Sequence, residues 1–426
     1  MILNNSFDLK VRTIKFRGEE VNLYFATSLV KDSMIAYMID GINEASGLTF
    51  KDCINNGDVQ RQDDPKLQYY AVCSGCTLIT YRDENYILET RMYPARSVEE
   101  PQTEKSVRGA KDGFTESILT CAGLIRRRIK TMDLHLELIS IGGQNKIDTC
   151  LCYLDSKVDQ KLLNEIKAEL NAITNNQLVM SDRAVEELLF KQGYNPFPLV
   201  RYSERPDVVS THILHGRIAL ICDTSSSVMM LPTSLFDLLE HVEEHRQTPL
   251  IGTSIRLLRY FSVFISVYLV PIWLAILSTK PESSFDEFII QILILEVSVE
   301  VLRLATIHIP TAISNAMGVV AAILLGQFAI DLGVFSEEVL LFGALGNICG
   351  FATPNYELSL TNKYVKVVMI LALYLFKLPG IIIFNIILWI YLARLKVFGY
   401  HYIYPLWPLN LKDLFNHIVR KPKPKQ

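Results

Sequence analysis

The stretch YFSVFISVYLVPIWLAIL, residues 260–277, carries no charge and is preceded by Arg256 and Arg259. A helix crosses the roughly 30 Å hydrocarbon core of a bilayer with about 20 mostly apolar residues. The stretch therefore reads as a membrane-spanning helix, and it divides the chain. Ahead of it, residues 1–256 mix polar and apolar positions as a soluble domain does. Behind it, residues 257–398 hold apolar runs too long for a soluble domain of that size to bury. The 426 residues are 50% hydrophobic and carry 42 basic and 45 acidic side chains, a formal net charge of −3. That balance excludes a disordered chain and offers no basic field for nucleic acid.

Further apolar segments follow the first. TAISNAMGVVAAILLGQFAI (311–330) and VLLFGALGNICGFATPNY (339–356) are free of charge. Residues 367–392 are apolar but interrupted by Lys377 and Pro379-Gly380. Proline removes an N–H, so this stretch is expected to kink or to fold as a hairpin of two half-spans. FIIQILILEVSVEVLRLATI (288–307) differs from the others because it carries Glu296, Glu300 and Arg303. Charges within a membrane are expensive and face protein, a partner or water. Three readings stay open: a spanning helix with an internal Glu300–Arg303 pair, a border of an aqueous ion path, or an amphipathic helix at the interface.

Orientation follows the basic bias of the loops. After Ala393 the tail holds Arg394, Lys396, Lys412, Arg420, Lys421, Lys423 and Lys425 against Asp413 alone, a net +6. The loop 278–287 holds Lys280 against Glu282, Asp286 and Glu287, a net −2. The soluble domain and the tail are expected in the cytoplasm and the loop outside, which requires an even number of crossings. The small residues of 311–330, among them Ala316, Gly318 and Gly326, allow close helix packing. The alternative is a pore-lining face in a ring of chains. Asn315, Gln327 and Asp331 would form its polar track, and Val319 and Ile323 a constriction.

The soluble half shows alternating strand and helix patterns. Strands are expected at 7–16, 20–25, twice within 69–91, and at 134–140, 148–154, 217–222 and 228–231. Helices are expected at 32–42, 112–130, 157–171 and 234–244, the last capped by Ser234. A linker rich in proline and charge, 94–106, separates a subdomain at 1–93 from a second at 107–256. The fold class is thus an α/β (α+β) two-part soluble domain, then an all-α multi-span domain at 257–398 and a basic tail at 399–426.

Chemistry is sparse in this half. It has no phosphate-binding glycine loop, no nucleophile elbow and no HExxH motif, so neither an enzyme nor a cofactor is expected. Cys73 and Cys76 form a CxxC, and Cys150 and Cys152 a CxC, but they lie far apart without a histidine pair. Buried thiols are expected there, and no metal. Asp223 to Ser227 reads as a hairpin turn, and His212 and His215 as surface or loop histidines. Arg126, Arg127 and Arg128 lie on a helix, where three successive residues cannot share one face. A solvated face or a contact with a neighbouring subunit or lipid headgroup accounts for them.

Several blocks match a known family. They are VRGAKDGFTESI (107–118), LIRRRI (124–129), PLVRYSERPDV (198–208), GRIALICDTSSSVMMLPTSLFDLLEHVEEHRQTP (216–249), EVSVEVLRLATIHIPT (296–311), AIDLGVFSEEV (329–339), FATPNYELSL (351–360) and KLPG (377–380). On these the chain resembles the A subunits of bacterial spore germinant receptors, the GerA family. The resemblance implies a subunit of a spore germination complex in the spore inner membrane, acting with other germination membrane proteins. It also implies a homo-oligomeric channel that releases monovalent cations. A non-conducting scaffold and a transporter remain as alternatives; a single Pro-Gly break, with no echo elsewhere, speaks against a transporter.

Overall fold

The computed structural model describes all residues except 1–5, 45–48, 55–58, 91–99, 102, 103, 105, 107, 144–146, 176, 177, 179, 180, 191, 281–283, 308–317, 321, 322 and 421–426. The chain forms two compact units, Met1–Tyr194 with Leu199–Thr233, and Asn195–Pro198 with Ser234–Gln426. The sequence boundary at 256 falls inside the second unit, because helices that follow Ser234 pack on the start of the first long helix.

The first unit begins with β1 (Leu9–Phe16), β2 (Glu19–Ala26), α1 (Asp32–Glu44), α2 (Phe50–Cys53), β3 (Val59–Arg61), α3 (Pro65–Cys73), β4 (Thr77–Tyr81) and β5 (Glu84–Leu88). The sheet order is β1-β2-β4-β5-β3, and every pairing is antiparallel. The β1–β2 turn uses Arg17 and Gly18, both at positive φ, as a two-residue hairpin requires. Ile35, Met38, Ile39 and Ile42 recur at helical spacing on α1 and are buried against Phe16, Leu23, Ile79 and Tyr81.

There follow α4 (Ile118–Arg128), β6 (Leu134–Ile141), β7 (Ile147–Leu154), α5 (Gln160–Ala172), α6 (Ser181–Phe190), β8 (Arg201–Ser203), α7 (Pro206–Leu214), β9 (Ile218–Cys222) and β10 (Val228–Leu231). They build a second antiparallel sheet, order β6-β7-β9-β10-β8. Both sheets are antiparallel because their strands arrive mostly as hairpins, so this unit is α+β. Two expectations are corrected. Tyr69 to Cys73 belongs to α3, and the helix expected from Asp112 starts only at Ile118. Ahead of it the backbone N–H of Phe114 donates to Glu204 O at 2.8 Å, a pairing no helix could make.

The second unit holds α8 (Leu235–Leu239), α9 (Val242–Arg246), α10 (Pro249–Leu277), α11 (Phe285–Ile307), a π-helical turn (Ile323–Phe328), α12 (Glu337–Gly350), α13 (Tyr356–Arg394) and α14 (Leu411–Ile418), with a small β11–β12 pair (Lys396–Val397, Tyr400–His401). Ser234 caps α8 with a full capping box, although the expected 234–244 helix breaks into two. Among the described residues, two helices are long and apolar enough to cross a membrane: α10 with a mean hydropathy of 2.1 and α13 with 2.4.

Helix α13 is two helices joined at Lys377, whose φ of 52° and ψ of −148° lie outside the helical region. The contacts show that the chain reverses there. Asn385 Nδ2 donates to Met369 Sδ at 3.7 Å. Farther from the bend, Thr361 Oγ1 donates to Pro196 O, and Tyr391 OH donates to Asn195 Oδ1 at 2.8 Å. Lys377 at the apex lies 4.1 Å over the Phe285 ring, beside Asp286 at 4.0 Å. The bend and the start of α11 thus occupy one end of the bundle, and the feet of both arms the other. At 1.5 Å per residue the arms are roughly 25–31 Å long.

Gly380 makes the bend possible. A Cβ there would fall on the backbone carbonyl of Ala372. Gly380→Ala is expected to cost about 1–3 kcal/mol, read as a lowered thermal midpoint in detergent. Gly326→Ala, where a Cβ meets nothing within 4 Å, is the control expected to leave the midpoint unmoved.

Candidate functional site: a charged cluster among apolar helices

The core of the second unit is apolar. Val270 and Leu274 of α10, Ile289, Ile292 and Leu295 of α11, Val339 of α12, and Ile370 and Leu373 of α13 are buried together. Trp273 stacks on Phe288 and Phe342. Gly343 lets α12 approach α11, since a Cβ there would overlap the Leu295 side chain. Against this background α11 and α13 carry a ladder of charges. Glu296 Oε1 accepts from Lys366 Nζ at 2.7 Å and from Asn347 Nδ2 at 3.1 Å. One turn on, Glu300 Oε2 accepts from Lys363 Nζ at 2.8 Å, and its Oε1 accepts from Arg303 Nε at 3.0 Å. The Arg303 guanidinium lies 5.0 Å over the Tyr356 ring. Residues four apart on α11 meet residues three apart on α13 because antiparallel helices present matching turns.

Glu296 and Lys366 are fully desolvated, at 5% and 1% exposure. Each neutralises the other, which is what makes either tolerable in such a core. Among the described residues Glu296 Oε2 and Asn347 Oδ1 accept no hydrogen bond. Two acceptors thus remain on neighbouring side chains, able to take a proton donor or a cation. The Glu300–Arg303 contact joins residues of one helix; Lys363 is what ties Glu300 to another. Lys363 and Lys366 were missed because they stand just ahead of an apolar run, where basic residues read as flanks.

The remaining sequence candidates are dispersed. Asn315 lies outside the described residues. Val319 and Ile323 are 62% and 48% exposed, and Gln327 and Asp331 are exposed too. The π-helical turn across Ile323–Phe328 closes hydrogen bonds from i to i+5, so the α-helical spacing that aligned Gln327 with Asn315 does not hold through it. Arg256 and Arg259, the basic flank of the first apolar run, both bind the fully buried Glu244, Arg256 through Nε at 2.7 Å.

In the first unit the three arginines part company. Arg126 is fully buried, donating from Nε and Nη2 to Asp8 at 3.0 and 3.2 Å, so it is not at a surface a neighbour could reach. Arg128 grips Asp112 at 2.6 and 2.7 Å, and Arg127 is exposed. His212 is buried, with Nε2 3.2 Å from Arg201 Nη1, and is not a surface histidine. Arg205, 1% exposed, gathers the linker by donating to Glu104 O, Ser106 Oγ and Ala110 O, while also gripping Asp207. Beside it, burial pushes the Glu104 carboxyl above the usual range despite Arg201 and Arg205. Cys73, Cys76, Cys150 and Cys152 are buried thiols outside any disulfide. Among the described residues no three His, Cys, Asp or Glu side chains group as metal ligands.

The chain is 36% identical to the Bacillus subtilis stage V sporulation protein AF, over 99% of this chain and 90% of that protein. It is 30% identical to the Bacillus subtilis spore germination protein A1, over 81% of this chain and 75% of that protein. The crystal structure of the N-terminal domain of the A subunit of the Bacillus megaterium spore germinant receptor GerK3 is 25% identical, covering 54% of this chain and 89% of that one, with a TM-score of 0.41. The model of the Bacillus/Clostridium GerA spore germination protein family matches residues 1–426, and the chain belongs to that family.

Proposed function

We propose that this chain is a multi-pass membrane subunit of a spore germination complex, seated in the spore inner membrane, that conducts monovalent cations as a ring of identical chains. The observation that carries the membrane part is an inverted polarity. Leu375, Phe376, Ile383 and Ile387 lie on the outside of the helices at 56–68% exposure, whereas Glu296, Lys366 and Asn347 lie inside. Water would reverse that arrangement; lipid favours it. The two ends of the bundle support a topology with both termini cytoplasmic. Lys377 meets Asp286 at one end of the bundle, opposite the feet of both arms, and the charge bias of the sequence assigns that end to the outside and the feet to the cytoplasm. Counting α10, α11, α12, both arms of α13 and, from its sequence alone, the apolar run 311–330 as crossings gives six spans, an even number.

Conduction is the finer part of the proposal. Val319, Ile323, Gln327 and Asp331 face outward from a single chain, as residues that meet only in a ring would. Asp331, at the outer end, would concentrate cations, and Val319 and Ile323 would close the path by dewetting. Other germination membrane proteins are the proposed partners. Potassium flux into liposomes carrying the purified chain tests this. Asp331→Asn is expected to lower the flux several-fold, and Val319→Asn or Ile323→Asn to raise the resting leak. Flux that is unchanged by all three moves the pore elsewhere, with Glu296 and Glu300 the next candidates, and flux that is absent overturns conduction. It would leave a non-conducting scaffold, a reading favoured by the neutralisation of Glu296 and Glu300 by Lys366, Lys363 and Arg303.

A further inference from the structure

Helix α14 turns the wrong face outward for water. Leu411, Leu414, Phe415 and Ile418 recur at i, i+3, i+4 and i+7 and form one apolar stripe. A helix docked on a soluble core buries such a stripe, yet no residue of α14 is fully buried, and of the stripe only Leu414 and Ile418 are half-buried. Leu411 and Phe415 are 70% and 54% exposed, and Trp407 and Leu409 just ahead of the helix are 57% and 62% exposed. The polar side holds the helix in place instead. Asp413 accepts from Tyr404 OH and from Asn410 Nδ2 at 2.8 Å. The His417 ring packs 5.7 Å from that of Phe236.

The anchoring points fix the height of this helix. Arg256 Nη1 donates to His417 O at 2.6 Å, Tyr260 OH to the same oxygen at 3.4 Å, and the Arg420 N–H to Thr253 Oγ1 at 3.0 Å. Thr253 and Arg256 lie on the turns of α10 that lead into its charge-free run, and Tyr260 is the first residue of that run. The stripe therefore lies level with the start of the apolar segment. Beside it α10 continues the exposed apolar surface with Leu257, Leu258 and Phe261. In sequence, the tail after Ala393 carries seven basic residues against Asp413 alone.

We propose that Trp407–Ile418 is an interfacial anchor that inserts its apolar stripe among the acyl chains of the cytoplasmic leaflet and recruits anionic lipid headgroups to the basic tail. Apolar insertion coupled to basic charge is how amphipathic segments bind anionic membranes. The inference rests on the membrane reading above but not on conduction.

The chain has three tryptophans, so the test uses Trp273→Phe with Trp389→Phe, leaving Trp407 as the sole reporter. The full-length protein is placed in nanodiscs of phosphatidylcholine alone or mixed equally with phosphatidylglycerol, each with acyl chains brominated near the headgroup or near the bilayer centre. Trp407 is expected to be quenched at least twofold by the shallow bromines and little by the deep ones. The quenching should be stronger with phosphatidylglycerol, and Lys412→Gln with Arg420→Gln should remove that lipid dependence. Leu411→Gln with Phe415→Gln should cut the quenching itself. Equal quenching in both lipids overturns the anionic preference. No shallow quenching in a protein that has entered the nanodisc overturns the anchor, and shielding from aqueous iodide as well would show that another chain covers the stripe. Failure to enter the nanodisc at all would instead sink the membrane reading.

Discussion

Lys366→Met is expected to destabilise the second unit by about 3–5 kcal/mol, because it strands the Glu296 carboxylate where Lys366 now neutralises it. Glu296→Gln should cost a similar amount by stranding the ammonium. The two changes together should recover most of the loss, since a neutral amide and a thioether fit a core that no longer holds an unpaired charge. Thermal or denaturant unfolding of the purified protein in detergent reads all three variants. A double variant no better than the worse single would show that the pair does not carry the packing of α11 on α13.

The second large effect is expected in the other unit. Arg126 and Asp8 are 118 positions apart and both fully buried. Arg126 Nη1 also donates to Leu134 O at 3.4 Å, and the Phe7 N–H donates to Leu136 O at 3.1 Å, so the entry to β1 is pinned to the edge strand of the second sheet. Arg126→Met should cost about 3–5 kcal/mol by leaving Asp8 charged in a dry site. Hydrogen exchange should speed up first at the amides of β1 and β6, with α11 and α13 unaffected. Exchange accelerated equally in both units, or in neither, would refute the pinning role.

How much of this was legible varies with the signal. The strand pairs at β1–β2, β6–β7 and β9–β10 stood out because alternation and turn residues are local properties. So did α10, whose apolar run has no competing interpretation, and the break at Lys377 and Pro379. What could not be read were partnerships between distant residues. Glu296, Glu300 and Arg303 drew attention as charges within an apolar run, but nothing local said that Lys363 and Lys366 would answer them. Arg126 looked like its two neighbours, yet a helix that turns about 100° per residue must send one of three arginines inward, and only Asp8 decided which. His212 is hidden for the same reason: its partner Arg201 comes from β8, a strand of three residues too short to leave a pattern.

The strip Asn195–Pro198 belongs to the second unit although the first unit flanks it on both sides. Its partners are made late. Thr361 follows Pro196 by 165 positions, and Tyr391 follows Asn195 by 196. A ribosome releases this strip long before either arm of α13 exists, so the growing chain must hold it open through the synthesis of every intervening helix. Truncations ending before residue 391 should leave it exposed to proteases. The last arm to be made would then act as the closing step of biogenesis, committing the chain only once the whole bundle has been threaded.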